Sequence, residues 1–236
     1  MVSQLMDQVY SFDSNLHRTV AEDLKTPLTR IMALLEYNKI SGCTNTEEIE
    51  LITESALKMV DSYALSVQLC NSQISLLYEP VALKSVIYDC QTSLKGFAKL
   101  QGVVTNLNIQ KHTGLAVANR QVVKSIISSV AYSMLTVTSI KPKQSLSYSL
   151  TKSKNKIDVG IFSSFNNFDT TSLNKIRSNY GRVKQVIPEI VQGATAGIVI
   201  ADKLCEKLNT KLSVSKYKDM SGLVFSLNAS SQLSFI

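Results

Sequence analysis

Two long apolar stripes at helical spacing in residues 1–79 constrain the fold of this chain more than any other feature. Apolar side chains recur there every three or four residues, which predicts two amphipathic helices. The first stripe comprises Val9, Phe12, Leu16, Val20, Leu24, Leu28, Ile31 and Leu35, and the second comprises Ile49, Ile52, Ala56, Met59, Tyr63, Val67, Cys70, Ile74 and Leu77. Ser41-Gly42 predicts the turn between them, and Pro27 predicts a kink inside the first. Because two such helices bury only one face against each other, we expect the hairpin to form a homodimeric four-helix bundle.

The net charge changes sign after residue 79. Residues 1–79 hold 5 Lys/Arg and 11 Asp/Glu, a net charge of −6, whereas residues 80–236 hold 20 and 7, a net charge of +13. Such an asymmetry is typical of a domain boundary. We therefore expect a helical-hairpin domain at 1–79 and a second domain at 80–236.

The second part of the chain alternates between helical and strand patterns. These patterns predict helices at 81–99, 120–137, 173–178 and 197–208, and strands at 103–109, 144–151, 156–165, 212–217 and 223–227. This order indicates helices packed on one face of a mixed sheet, which places the whole chain in the α+β class.

The composition excludes several classes of protein. No apolar run approaches the roughly 18 residues of a membrane span, and the first residues lack the apolar core of a signal peptide. The 4 cysteines (Cys43, Cys70, Cys90 and Cys205) lie far apart with only 2 histidines to join them, so we expect no metal site. This use of cysteine is typical of a reducing cytoplasm, where we expect the protein.

Residues 21–31 read Ala-Glu-Asp-Leu-Lys-Thr-Pro-Leu-Thr-Arg-Ile and resemble the H-box of sensor histidine kinases, S-H-E-L-R-T-P-L. The resemblance implies that the hairpin corresponds to the dimerisation and phosphotransfer domain of that family. It also implies that the second part is an ATP-binding α/β sandwich of the type shared with gyrase and the Hsp90 chaperones. The resemblance extends over residues 12–228, and it implies that the partner is the receiver domain of a response regulator.

Residues that serve catalysis in that family are replaced in this chain. Glu22 occupies the position of the phospho-accepting histidine. Residues 120–130 resemble the N-box, R-Q-V-L-x-N-L-L-x-N-A, in which two asparagines line the nucleotide site and one carries magnesium. Ser125 and Ser129 stand at those two positions. A serine hydroxyl reaches less far than an amide oxygen and is a poorer ligand for magnesium, which prefers strong oxygen ligands in a near-octahedral shell.

The other two nucleotide motifs are also incomplete. Ser163 stands where D-x-G-x-G has its adenine-binding aspartate, unless Asp158 or Asp169 takes that role. Gly193 and Gly197 are what remains of G-x-G-L-G-L, and the start of a helix suits a phosphate. Packing at the start of the helix is the favoured explanation for these two glycines. We therefore expect no cofactor, although the resemblance leaves weak binding of Mg-ATP open.

Four residues of the first helix are candidates for a chemical or recognition role. Glu22 is interpreted as a solvated surface glutamate or as a fixed anion that a partner recognises. Asp23 and Thr26 keep the spacing that supports phosphatase action on the partner in some members of the family. His17 is an alternative acceptor, although five residues place it about 140° around the helix from Glu22.

Lysines cluster in the basic part of the chain. They are Lys141, Lys143, Lys152, Lys154 and Lys156, followed at helical spacing by Lys203, Lys207 and Lys211. A lysine patch without stacking aromatics or arginines is commonly a solvated face, so nucleic acid is not the expected partner. The favoured interpretation is that the basic part docks against the acidic hairpin, in its own chain or its dimer mate.

The leading hypothesis is a two-component signalling protein that has lost most or all autokinase activity and acts as a pseudokinase or scaffold. The first alternative is an active enzyme of the same fold, either an atypical kinase that uses His17 or a receiver phosphatase that uses Asp23 and Thr26. The second alternative is a histidine phosphotransferase relay, for which His17 is the candidate acceptor.

Overall fold

The computed structural model describes residues 2–71, 76–136, 144–178 and 195–231, with side chains from residue 17 onward. The N-terminal hairpin consists of α1 (Val2–Ser41) and α2 (Thr46–Asn71). Pro27 lies within α1 without ending it, as the sequence predicts. Helix α1 ends at Ser41, and Gly42 follows in the left-handed region with φ of 69°, which glycine adopts without strain.

Specific contacts fix the register of the hairpin. The Arg30 guanidinium contacts the Glu48 carboxylate at 2.6 Å, and the Asn38 side chain accepts a hydrogen bond from the Asn45 side chain at 2.8 Å. The second apolar stripe predicts a helix up to Leu77, and α2 is described as far as Asn71. Residues 72–75 lie outside the described part of the chain, and the next three residues form no regular element.

The rest of the chain forms an α/β sandwich around a five-stranded mixed sheet. Its elements are β1 (Glu79–Val81), α3 (Leu83–Leu100), β2 (Val103–Ile109), β3 (Ala116–Ala118), α4 (Arg120–Leu135), β4 (Gln144–Ser153), β5 (Lys156–Ser163), α5 (Thr170–Ser178), α6 (Thr195–Lys207), β6 (Ser213–Tyr217) and β7 (Met220–Asn228). The strand order is β2-β4-β5-β7-β6, with β2 and β4 parallel and every other pair antiparallel. The predicted α+β class and mixed sheet are confirmed.

The short pairing of β1 with β3 was not predicted from the sequence. Three residues are too few to show an alternating pattern. Val81, which the sequence assigned to a helix, lies in β1, and α3 begins at Leu83. Strand β5 ends at Ser163 instead of Phe165, because the hydroxyl of Ser163 accepts the backbone N–H of Asn166 and starts a turn.

The hairpin packs against the helices of the sandwich. Helix α2 contacts α3, α4 and α6, and α1 contacts α6. The fit of α2 on α3 is close, since a Cβ added at Gly96 would lie 2.6 Å from Cδ2 of Leu51. The ammonium of Lys58 donates to the carbonyl of Ser93 at 3.0 Å.

The predicted docking of the two parts is present within one chain, but its described contacts differ from the expected ones. Two of the ion pairs, Arg30–Glu48 of the hairpin and Arg177–Asp202 of the sandwich, each lie within one part. Lys152, Lys154 and Lys156 are exposed around the β4–β5 turn, while Lys141 and Lys143 lie outside the described residues. Packing and polar contacts, more than the lysine cluster, therefore make the described interface.

Candidate functional site

Glu22 and Asp23 are consecutive on α1 but lie in different environments. The carboxylate of Glu22 is partly exposed and forms an ion pair with Lys25, with Nζ 2.7 Å from its oxygen. Asp23 is only 4% exposed, and its Oδ2 accepts a hydrogen bond from the backbone N–H of Ala196 at 2.7 Å. One helical residue corresponds to a rotation of about 100°, which is why one carboxylate faces solvent and the other faces the sandwich.

The contact made by Asp23 lies at the N-terminus of α6. The first N–H groups of a helix have no partner inside the helix, and its dipole favours a negative charge at this end. A carboxylate from α1 thus satisfies one of these donors in a buried position. Burial, and to a lesser degree the charge of Asp23, raise the pKa of Tyr132 on α4 to about 12.

The other two candidates on α1 lie on its accessible surface. Thr26 is exposed. His17 is also exposed, and its ring packs edge-on against Tyr63 of α2, with ring centroids 5.7 Å apart and an interplanar angle of 81°. Its Nδ1 contacts the Tyr63 hydroxyl. The structure therefore does not bring His17 and Asp23 to one site in the way a nucleophile and its base require.

The two N-box positions lie on α4, whose N-terminus is capped by the Asn119 side chain accepting from Val122 N–H at 3.1 Å. Ser125 is half-buried, and Ser129 is 2% exposed. Ser129 borders a cavity of about 10 Å³ between α2, α3 and α4, which we call the serine cavity. Its walls include Ser55, Met59, Ser62, Leu94, Ser129 and Tyr132.

The serine cavity is too small for a nucleotide. Its volume suffices for about one water molecule, whereas sites for small organic ligands occupy about 300–1,000 Å³. The hydroxyl of Ser129 is buried and has no hydrogen-bond partner among the described residues. Among the described residues, the space beside Ser129 thus does not fit Mg-ATP, because helix α2 covers the hydroxyl of Ser129.

Gly197 has a packing role between α4 and α6. A Cβ at this position would lie 2.5 Å from the carbonyl oxygen of Ser129 and would also contact the hydroxyl of Ser133. Only a residue without a side chain permits this approach of the two helices. Gly193, the other glycine of the motif, lies outside the described residues.

The position assigned to adenine binding is built into a closed turn. Ser163 is 1% exposed and accepts from Asn166 N–H at 3.2 Å. The hydroxyl of Ser221 donates to the carbonyl of Asn166 and accepts from Phe168 N–H at 2.9 Å. These bonds hold Phe168 in the core, where it is 6% exposed.

The two alternative aspartates have structural partners. Asp158 on β5 accepts from the Ser226 hydroxyl on β7 at 2.5 Å. Asp169 precedes α5 and accepts from Ser172 N–H at 2.6 Å, and this hydrogen bonding lowers the pKa of its exposed carboxyl. Asp158 thus links two strands of the sheet, and Asp169 caps the start of α5.

A cavity of about 460 Å³ lies between α5 and α6, and Lys203 and Lys211 of the lysine cluster are among its lining residues. Leu173, Ile176, Ile198 and Val199 form its apolar wall. At its edge the Arg177 guanidinium binds both oxygens of Asp202, at 2.8 and 2.6 Å, and donates to the Leu212 carbonyl at 2.8 Å. The hydrogen bonds to Asp202, and to a lesser degree its charge, raise the pKa of Arg177. The sequence carried no signal for this pair, because its members are 25 residues apart and share no motif.

Two further properties concern the described residues only. They contain no group of three or more His, Cys, Asp or Glu side chains placed to hold a metal ion. No described helix combines the length and the apolar character that crossing a membrane requires.

The known proteins that this chain resembles were found by structure and not by sequence. No protein-family model matches the sequence, and no curated protein matches it. The solved chain of the histidine kinase AdeS of Acinetobacter baumannii superposes with a TM-score of 0.57 over 89% of this chain and 98% of that solved chain, at 12% sequence identity. The chain has the fold of a sensor histidine kinase core. At this identity the similarity establishes the fold alone.

Two other solved structures extend the comparison. Full-length ShkA in complex with AMPPNP gives a TM-score of 0.58 at 12% identity, over 98% of this chain and 47% of ShkA. Histidine kinase ThkA in complex with the response regulator protein TrrA gives a TM-score of 0.54 at 11% identity, over 89% of this chain and 60% of ThkA. This chain thus spans about half of full-length ShkA. The resemblance inferred from the H-box is confirmed at the level of the fold.

Proposed function

We propose that this chain is a two-component signalling protein that binds a receiver domain through its hairpin and has lost autokinase activity. The observation that carries the proposal is the position of Ser129. This N-box residue lies under α2 beside a cavity of about 10 Å³, so neither its side chain nor the space around it suits a nucleotide with magnesium.

Two further positions support the loss of kinase activity. Glu22 replaces the acceptor histidine and already pairs with Lys25. Ser163, at the adenine-binding position, is engaged in the turn after β5. An imidazole nitrogen is a good nucleophile near neutral pH, whereas this carboxylate is stabilised by a surface cation.

The choice of partner rests on the fold and on the exposed surface of the hairpin. The ThkA structure holds a response regulator, and this chain has the same fold. We place the receiver domain on α1 around Glu22, Lys25 and Thr26, which are accessible in the described structure. The contact would be polar, since a carboxylate, an ammonium and a hydroxyl lie within five residues.

We propose further that residues 1–79 and 80–236 are two domains and that the hairpin mediates a homodimer. Leu28, Met32 and Leu35 are 54%, 62% and 47% exposed and follow one another at helical spacing on α1. Such a stripe on an otherwise folded surface is typical of a helix that packs against a partner helix. We place the protein in the cytoplasm, because the structure forms no disulfide among its 4 cysteines.

The loss of nucleotide binding is tested by thermal unfolding with Mg-ATP and Mg-ADP. A ligand at one hundred times its dissociation constant stabilises a protein by about 2.7 kcal/mol, which is roughly 5–10 °C for a chain of this size. We expect no shift at millimolar nucleotide relative to magnesium alone. A clear shift, together with phosphorylation of the protein by labelled ATP, would overturn the pseudokinase proposal.

The receiver interface is tested with matched lysine variants. Receiver domains encoded in the same genome are first screened for binding to this protein. Lys25→Glu is expected to weaken the binding of a receiver domain found in this screen at least about tenfold. Lys154→Glu makes the same change at the exposed β4–β5 turn and should leave binding unchanged. If both variants bind the receiver domain equally well, the proposed interface around Lys25 is wrong.

His17 is the residue by which the relay and the atypical kinase can be separated from the scaffold. His17→Gln should not change receiver binding or any phosphotransfer if the protein is a scaffold. Loss of phosphotransfer in this variant would favour the two alternatives.

A further inference from the structure

The contact between Asp23 and Ala196 is a charged link between two parts of the chain that are 173 residues apart. Asp23 belongs to the hairpin, and Ala196 belongs to the first turn of α6 in the sandwich. Because the carboxylate is buried and the donor is a helix N-terminal amide, separation of the two parts would leave the amide without this acceptor. The link therefore favours the docked arrangement.

The surroundings of this link combine apolar residues of the core, among them Ile52 and Met59, with several buried hydroxyls. The face of α2 that packs on the sandwich buries the hydroxyls of Ser55, Ser62 and Ser66 among its apolar residues. On the other side, the buried hydroxyl of Ser129 finds no partner among the described residues. Polar contacts of this kind are typical of interfaces between domains that move relative to one another.

We propose that Asp23 and the first turn of α6 form a latch that holds the hairpin reversibly closed against the sandwich. In the closed state Asp23 is withheld from any partner, whereas its neighbours Glu22 and Thr26 remain accessible. In the open state the carboxylate of Asp23 becomes accessible one helical turn before Thr26. The consequence for receiver binding rests on the proposed function, but the latch itself is a property of this chain alone.

The latch predicts which amides gain hydrogen exchange when the link is removed. Replacing an Asp that caps a helix N-terminus by Ala shifts the equilibrium between the capped and the open state by about 2- to 30-fold. In Asp23→Ala we expect hydrogen–deuterium exchange to rise by this factor in the first turn of α6 and along the α2–α4 contact. Peptides from β5 and β7 should exchange as in the unaltered protein.

Two further variants separate the latch from general effects of charge or stability. Asp23→Asn keeps an acceptor oxygen but loses the charge, so its effect should be smaller than that of Asp23→Ala. Asp61→Asn removes the same charge from an exposed position on α2 and should change nothing. The measurement uses the full chain without any partner, so a failure of the proposed receiver binding cannot be mistaken for a failure of the latch.

Two results would overturn the proposal. Unchanged exchange at α6 and at the α2–α4 contact in Asp23→Ala would mean that the link does not hold the hairpin. Increased exchange in β5 and β7 in both Asp23 variants would mean that Asp23 stabilises the entire fold and does not control a local opening.

Discussion

The core of the sandwich and the buried face of the hairpin are both closely packed and both contain apolar residues and serines, but polar side chains make up a larger share of the buried residues in the hairpin. In the sandwich core Leu146 and Ile161 are completely buried among aliphatic and aromatic residues. At the hairpin contact the buried side chains include Ser55, Ser62 and Ser129. Aliphatic burial contributes about 25 cal/mol per Å², whereas a buried hydroxyl costs free energy unless it is hydrogen-bonded. The comparison indicates a stable sandwich onto which the hairpin is held more weakly.

The largest effect is expected in the sandwich core. Leu146→Ala removes a fully buried side chain of the interior strand β4 and should lower the free energy of unfolding by about 2–5 kcal/mol. Val104→Ala on the edge strand β2, where Val104 is 57% exposed, is the control and should cost much less. Denaturant unfolding followed by circular dichroism measures both. Equal effects would contradict the assignment of Leu146 to the core.

The second largest loss of stability is expected from a substitution at the contact between α4 and α6. Gly197→Ala places a methyl group 2.5 Å from the carbonyl oxygen of Ser129, so the helices must move apart, at a cost of about 1–3 kcal/mol. Gly102→Ala cannot serve as the control, because φ at Gly102 is 71° and alanine would be strained there. Ala201→Gly, on the same helix as Gly197, measures the separate effect of helix propensity. A stabilised Gly197→Ala protein would mean that the glycine serves something other than packing.

A smaller effect of opposite sign is expected at the serine cavity. Ser129→Ala removes a buried hydroxyl that has no partner among the described residues, so it should leave stability unchanged or raise it by about 1 kcal/mol. Ser133→Ala tests a neighbouring buried hydroxyl of the same helix. Marked destabilisation in Ser129→Ala would mean that the hydroxyl contributes a hydrogen bond, and the contrast between the two regions would be weaker than proposed.

The smallest effect is expected at Asp169 and depends on pH. The hydrogen bonds from Ser172 lower the pKa of its carboxyl in the folded state, so its contribution is present above the ordinary aspartate pKa and is lost as the pH falls through the lowered folded value. Asp169→Asn still caps α5 but does not titrate. The difference in urea midpoint between the two proteins should therefore change only in this acid range. A constant difference across pH would exclude the proposed contribution of the charge.

Much of the fold follows from the sequence because it depends on local periodicity. The two apolar stripes predicted α1 and α2, and β2 was predicted with its observed bounds, Val103–Ile109. The H-box residues then pointed to the histidine kinase fold, which the solved structures confirm. What the patterns did not predict was the three-residue pair of β1 with β3, since so short a segment carries no periodic signal.

The candidate site could be located from the sequence, but its arrangement could not be predicted. The motif placed Glu22 and Asp23 side by side, and nothing in it distinguished a surface carboxylate from one that binds the N-terminus of a helix 173 residues away. The pair formed by Arg177 and Asp202 had no motif at all. Such contacts depend on how separate elements pack, which a local pattern does not encode.

The sequence by itself predicted the helical hairpin and the mixed sheet, because both are a matter of residue type and spacing. Only the tertiary structure decided that α2 covers Ser129, that Gly197 permits the close approach of α4 and α6, and that Asp23 contacts Ala196. The physical reason is that burial and hydrogen bonding depend on distances between residues far apart in the chain. These distances exist only once the hairpin and the sandwich have packed together.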